Sequence, residues 1–265
     1  MSEEDGDAGG LDRLDHLGVS EEREELGGHL GKLDPRAAKV FPAERLELAE
    51  RYAAWLADAG VVRGLIGPRE VPRLWDRHIL NCAVLGEVIP EGVTMADIGS
   101  GAGLPGLVLA IARPDLRITL IEPLLRRTTF LEEVAEDLGL ENVAVLRGRA
   151  DAFHGELAFD VVTSRAVAGL GKLLDWSMPL VAPTGALVAM KGSSIEAEID
   201  EAGPALEKWG CAPPSVSELG VGVLETTTVA VRVVWSDPAR VDWPPVPKGG
   251  HKRSKDGPRK KKRRR

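Results

Sequence analysis

Apolar and polar positions along this chain switch between a period near 3.6 and a period of 2, and the switches mark out its elements. After Phe41-Pro42, residues Leu46, Ala49, Ala53 and Leu56 fall on one stripe at three- and four-residue spacing, widened by Tyr52 and Trp55. This predicts a helix to about Ala59 with Gly60 as its stop. A second helical stretch covers 70–88, where Leu74, His78 and Leu85 share a face. From Val93 onward, short apolar strands alternate with helices. Strand 93–98 leads to helix 104–113, which carries Pro105 in its first turn. Strand 117–122 leads to helix 124–138, with Leu131, Val134, Ala135 and Leu138 as its buried stripe and Gly139 as its end. Strands 143–146 and 159–163, helix 170–180, strand 186–192, helix 194–209 and strands 217–224 and 227–235 complete the order. Such alternation predicts an α/β fold, a mostly parallel seven-stranded sheet with helices on both faces, preceded by a small helical cap. The last two strands are too closely joined for anything but an antiparallel hairpin.

Charge divides the chain further. Residues 1–34 hold eleven acids against three bases and little apolar periodicity, which reads as a disordered acidic leader. Residues 35–92 form the cap, 93–235 the core, and 236–265 a basic disordered tail. From 248 to 265 there are eleven Lys and Arg against one acid, a local +10, while the other 247 residues carry 23 bases and 40 acids, a net −17. An acidic body with a basic tail suits a protein tethered to nucleic acid, or a solvated tail that only aids solubility. There is no apolar run long enough for a membrane span and no signal-like N-terminus, so a cytoplasmic setting without membrane association is expected. Cys82 and Cys211 stand in no CxxC or His-rich context. No metal site or disulfide framework is predicted, and both are expected as buried thiols.

The chemistry concentrates in 93–122. A strand ends on Asp97, the glycines Gly99, Gly101 and Gly103 follow at alternate positions, a helix begins, and the next strand closes on Glu122. Gly101, Gly103 and Gly106 satisfy G-x-G-x-x-G, in which the glycines permit a tight turn and a close approach to a ligand. Glu122 sits where the acid of a nucleotide-binding βαβ unit accepts the ribose diol. A carboxylate at Asp97 would repel a pyrophosphate, but it suits a cationic amino group and sulfonium. S-adenosylmethionine is therefore the expected cofactor.

The stretch Asp97-Ile98-Gly99-Ser100-Gly101-Ala102-Gly103-Leu104-Pro105-Gly106 resembles the cofactor loop of the small-subunit rRNA methyltransferase G family, once called glucose-inhibited division protein B. Arg77-His78-Ile79-Leu80, Ser164-Arg165-Ala166 and Met190-Lys191-Gly192 extend the resemblance, which covers roughly 41–235. It implies a class I, Rossmann-like methyltransferase that uses S-adenosylmethionine to methylate N7 of a guanine, position 527, in 16S rRNA of the small ribosomal subunit. It further implies that Gly99 and Leu104 line the cofactor, that Ala150 and Asp151 meet its adenine, and that Arg165 lies beside the transfer point. Asn81 departs from the family, many of whose members carry an acid after the R-H-F-L signature.

N7 of guanine has an in-plane lone pair and no proton to lose. No general base is needed, and catalysis by positioning suffices. Arg165 and Lys191, at carboxyl ends of strands, are the positioning candidates, able to hold guanine, rRNA phosphate or the cofactor carboxylate, or else to form structural ion pairs. Arg77, His78, Arg126, Arg127, Lys191, Lys252 and Arg253 are the candidates for RNA contact. For His78 the alternative is a hydrogen bond within the helical layer, and for Arg126 and Arg127 it is pairing with nearby acids. An aromatic share of 4% argues against a stacking platform and for folded RNA recognised by shape and phosphate. A monomer is expected. Two rivals stand beside this reading: a class I methyltransferase acting on another RNA, a protein or a small molecule, and a non-enzymatic rRNA-binding assembly factor.

Overall fold

The computed structural model describes residues 32–165, 168–192 and 194–241. Seven strands form one sheet in the order β3-β2-β1-β4-β5-β7-β6. They are β1 (Thr94–Ile98), β2 (Arg117–Glu122), β3 (Val143–Arg147), β4 (Phe159–Arg165), β5 (Val181–Lys191), β6 (Ser215–Leu219) and β7 (Thr228–Val234). β1 to β5 are parallel, and β7 runs antiparallel to both β5 and β6. The expected sheet and its closing hairpin are therefore present. The strand order reverses between β1 and β4, the switch point outside which open α/β sheets bind ligands.

One face of the sheet is covered by the cap and the other by the later helices. In the cap, α1 (Leu46–Trp55) winds on as a π-turn over Leu56–Gly60. Ala49, Tyr52, Ala53 and Leu56 are fully buried, as their spacing predicts. A second helical run follows as a 3₁₀ segment Pro68–Arg73, a π-turn Leu74–Leu80, a short α-turn Asn81–Ala83 and a 3₁₀ segment Val84–Val88. Beneath both lies α2 (Gly106–Ala112), seven residues with no solvent face at all. It is apolar all round because the sheet packs on one side and the cap on the other. Tyr52, Leu56, Leu85, Leu107, Leu109 and Leu120 belong to one continuous core. On the β2 side, α3 (Leu125–Asp137) buries Phe130, Leu131 and Val134 in that same core. The opposite face carries α4 (Leu170–Ser177), α5 (Ile195–Glu201) and α6 (Gly203–Trp209), packed on Val162, Leu187 and Val231.

Four boundaries differ from expectation. α2 begins at Gly106, not at 104, because residues 99–105 are spent on the glycine turn. The helix expected over 194–209 is broken into α5 and α6, since Pro204 cannot donate into a continuing helix and stands instead in the first turn of α6. β6 lies at Ser215–Leu219 and stops at Gly220, whose φ is 82°. β5 starts five residues early, at Val181. At the ends, Asp34 caps the turn Pro35–Lys39 by accepting from Arg36 N at 2.8 Å, and Pro238–Arg240 form a 3₁₀ turn. The ordered body thus reaches slightly into the stretches read as leader and tail, whose remainder lies outside the described residues. Cys82 is buried, whereas Cys211 is only half-buried at the head of the approach to β6. Among the described residues no helix is long and apolar enough to cross a membrane.

Candidate active site

β1 ends on Asp97 and the chain turns at once. Gly99 N donates to Ile121 O at 2.8 Å and Gly103 N to Ser100 O at 2.7 Å, closing the turn. Gly103 holds φ at 93°, a conformation that L side chains rarely adopt. Gly106 serves packing. A Cβ there would lie 2.7 Å from Asp97 Oδ2 and collide with the Leu120 side chain, so the bare backbone is what lets α2 settle onto β1 and β2. The turn is also held from above, where the buried Tyr52 hydroxyl donates to Ala102 O at 2.8 Å. Burial raises that hydroxyl well above its ordinary value, so it stays a donor. Sequence reasoning places Tyr52 in the core but misses this contact, which spans 50 residues.

Asp97 is fully buried. Its Oδ2 accepts from Gly106 N at 3.0 Å, and its Oδ1 has no hydrogen-bond partner among the described residues. Burial pushes the carboxyl up to about 7, against the pull of the Gly106 amide. A buried oxygen without a donor is costly. An ammonium or other cationic group relieves that cost, so the residue fits the cofactor expected from the sequence. One oxygen serves the fold and one is left for a ligand.

Glu122 is buried to 1% exposure, and both of its oxygens tie the loop down. Oε2 accepts from Gly101 N and Oε1 from Leu124 N, each at 3.1 Å. Arg127 Nη1 lies 3.5 Å from Oε2. Of the two alternatives for Arg127, its neighbour is the acid, while Arg126 beside it is exposed. Each carboxylate oxygen has two lone pairs, so room remains to accept a ribose hydroxyl.

Two clefts open at the carboxyl ends of the parallel strands. The first, about 310 Å³, is lined by Ile98, Gly99, Ile121, Ala150, Asp151 and Trp176, among others. It brings together Gly99, Ala150 and Asp151 as expected. Its apolar walls and single carboxylate match a purine with an exocyclic amine. Trp176, with Lys172 4.9 Å above its ring, belongs to this cleft and was not foreseen. Within α4 it reads only as a helix residue. Leu104 instead packs partly buried against the cap-side core.

The second cleft, about 680 Å³, is lined by Arg77, Asn81, Arg165, Met190, Lys191 and Glu198, among others. Three candidates from separate stretches meet here. Arg165 is anchored to the cap. Nη1 donates to Cys82 Sγ at 3.2 Å, and Nη2 approaches Arg77 O at 3.2 Å and His78 Nδ1 at 2.7 Å. His78 Nε2 lies 3.0 Å from Glu70 Oε2. Desolvation, then the Arg165 charge, holds the His78 ring below the usual histidine range, and desolvation pushes the Cys82 thiol up. His78 is thus occupied within the helical layer at both nitrogens. Lys191 Nζ donates to Ala168 O at 2.8 Å and to Glu198 Oε2 at 2.7 Å, so it stands as an ion pair at the cleft wall. Lys252 and Arg253 lie outside the described residues. Among the described residues no group of three or more His, Cys, Asp or Glu could hold a metal ion.

The family model described as rRNA small subunit methyltransferase G matches residues 45–222 of this chain. Among the relatives that bear the name Ribosomal RNA small subunit methyltransferase G, three show the extent of the similarity. The one from Nocardioides sp. is 64% identical over 220 residues, covering 82% of this chain and 88% of its own. That from Streptomyces avermitilis is 56% identical over 200 residues, with coverages of 75% and 84%. That from Corynebacterium glutamicum (strain R) is 56% identical over 203 residues, with coverages of 75% and 91%.

Proposed function

The chain belongs to the rRNA small subunit methyltransferase G family, and from that membership we propose that it methylates N7 of a guanine, position 527, in 16S rRNA, with S-adenosylmethionine as cofactor. One observation carries the reading. An apolar cleft with Asp151 in its wall and a polar cleft rimmed by Arg77, Arg165 and Lys191 open at the carboxyl ends of the strands, with the Asp97 oxygen that has no partner among the described residues at the end of β1, the strand beside β4. One cleft suits a nucleoside and the other an anionic, hydrogen-bonding acceptor.

When bound, the cofactor supplies an electrophilic methyl group on a sulfonium. Everything else falls to this chain. Asp97 holds the cofactor's cationic end, Gly99, Ala150 and Asp151 its adenine, and Glu122 its ribose. Arg165 keeps the acceptor in place. Of its five N–H donors, three meet Cys82, His78 and the Arg77 carbonyl, leaving two for guanine or phosphate. N7 requires no proton removed, so the task of these residues is orientation. The protein acts as a monomer in the cytoplasm, and the charge of +10 over 248–265 adds sequence-independent attraction to RNA.

The test is labelled-methyl transfer from S-adenosylmethionine to small-subunit particles and to naked 16S rRNA, followed by chemical strand scission at N7-methylguanine. A single cut at position 527 is expected. Cofactor binding without label on either RNA would leave a methyltransferase with another acceptor. No cofactor binding at all would leave an RNA-binding factor.

A further inference from the structure

Two buried polar side chains sit side by side at the switch point of the sheet. Asp97 on β1 and Thr163 on β4 are register partners on adjacent parallel strands, and strands so paired lie about 4.8 Å apart. Side chains alternate along a strand, so both point the way of Met95 and Val161, into the core beneath the cap, and away from Ala96 and Val162 in the other core. Both residues are fully buried. Neither Asp97 Oδ1 nor Thr163 Oγ1 has a hydrogen-bond partner among the described residues.

The nearby strong donors are directed elsewhere. Ser100 Oγ donates to Asp97 O at 2.9 Å, and the Tyr52 hydroxyl to Ala102 O at 2.8 Å. Arg165 lies two residues past Thr163 on the same face, yet its guanidinium turns to Cys82, His78 and the Arg77 carbonyl. Packing does not call for a hydroxyl at position 163. Valine has the same shape, and a buried hydroxyl without a partner costs stability. On the other side of Thr163 its register partner on β5 is a buried valine, Val188.

We propose that Thr163 Oγ1 is a second acceptor for the cofactor's ammonium group, beside Asp97 Oδ1. The inference rests on the reading in which Asp97 holds the cofactor's cationic end, and it adds a residue from outside the glycine turn. An ammonium carries three N–H donors, so a carboxylate oxygen and a hydroxyl oxygen on neighbouring strands can take one each. Two acceptors fix the direction of the group, where one alone leaves it free to swing. A short carbon chain joins the ammonium to the sulfonium, so a held ammonium restricts where the methyl can lie, which is what catalysis by positioning requires.

The test measures the affinities of the wild type, Thr163→Val and Thr163→Ser by calorimetry for three ligands, together with melting temperatures without ligand. The ligands are S-adenosylmethionine, its decarboxylated form, which keeps the ammonium, and 5′-methylthioadenosine, which lacks it. The Val variant is expected to bind the first two about tenfold more weakly, as the loss of one hydrogen bond to a charged group implies. It should bind methylthioadenosine as the wild type does and melt at or above the wild-type temperature. The Ser variant keeps the oxygen and should recover most of the affinity. If the Val variant binds S-adenosylmethionine as tightly as the wild type, while the wild type prefers it to methylthioadenosine, the proposal falls alone. A loss for S-adenosylmethionine but not for its decarboxylated form would put the hydroxyl at the carboxylate and overturn it. An equal loss for methylthioadenosine, or a melting temperature well below that of the wild type, would make Thr163 a structural residue and overturn it likewise. If the wild type binds methylthioadenosine as tightly as S-adenosylmethionine, the ammonium is not held, and the reading of Asp97 falls first and takes Thr163 with it.

Discussion

Nδ1 of His78 and Nη2 of Arg165 stand 2.7 Å apart. A guanidinium offers donors only, so Nδ1 accepts and the ring proton sits on Nε2, where it is donated to Glu70 Oε2 at 3.0 Å. The imidazole is neutral, in agreement with the lowering that desolvation and Arg165 impose on it. Glu70, in turn, is held low first by its bond from His78. The cap thereby fixes the orientation of a strand-end arginine at the acceptor cleft.

The first prediction concerns acid. A lowered histidine remains neutral in the fold while the unfolded chain protonates near pH ~6.5, so its contribution is full above that pH and is lost as pH falls through the folded value. Once charged, His78 repels Arg165. Turnover should therefore show an acid limb that lies below the usual histidine range. His78→Ala is expected to cut kcat about tenfold, the worth of a hydrogen bond to a charged group. His78→Asn, which keeps an acceptor near Nδ1, should recover part of the rate and lose the acid limb. A pH–rate profile of the three proteins decides it.

Asp97 sets stability against binding. Its folded value near 7 lies above the unfolded ~3.9, so the folded state holds the extra proton between these values and stability declines as pH rises from ~4 to ~7. Asp97→Asn should match the wild type in unfolding free energy near pH 4 and exceed it at pH 8, by at most ~4 kcal/mol. The same variant should lose S-adenosylmethionine binding. Calorimetry at both pH values with cofactor titration checks the two halves together, and unchanged affinity would mean that Asp97 serves only the Gly106 amide.

Tyr52→Phe removes the donor to Ala102 O and leaves a buried carbonyl unsatisfied, a cost of about 1–3 kcal/mol. Because that carbonyl belongs to the glycine turn, cofactor affinity should fall several-fold along with the urea midpoint. A midpoint shift without an affinity change would confine Tyr52 to packing.

Lys191 has a side chain only 8% exposed and pairs with Glu198, which also accepts from Leu170 N at 3.1 Å. Lys191→Met should cost about 3 kcal/mol by stranding Glu198, and Lys191→Met/Glu198→Gln should regain much of it. If the double variant refolds to near wild-type stability yet has a lowered kcat on rRNA, the ammonium also acts on the acceptor. Equal recovery of both would make Lys191 structural.

The parts legible in the sequence are those whose partners are near in the chain. Asp97, the glycines and Glu122 lie within one βαβ unit, and their spacing alone predicts a ligand. Pro204 carries the signal for the break between α5 and α6, yet an apolar stripe running past it masks the signal. Arg165 is different. Its partners lie 83 to 88 residues back, in a helical run, and no local period relates a strand end to a cap. The π-turn at Leu74–Leu80 also shifts the phase on which a 3.6-residue reading depends, so that His78 reads as a face-mate of Leu74 and not as the acceptor it is. Trp176, half-buried, and Tyr52, fully buried, are hidden for a simpler reason: a large aromatic in a helix looks the same in sequence whether it fills space, lines a cleft or donates a hydrogen bond.

α2 has no side open to water, and the cap is what closes its outer side. A chain beginning at Val93 would leave Leu107, Leu109 and Ile111 with an uncovered neighbour and would not keep the glycine turn in place. The two halves therefore share one core, and a foreign cap grafted onto this sheet has to rebuild the surface that covers α2 if the glycine turn is to keep its place.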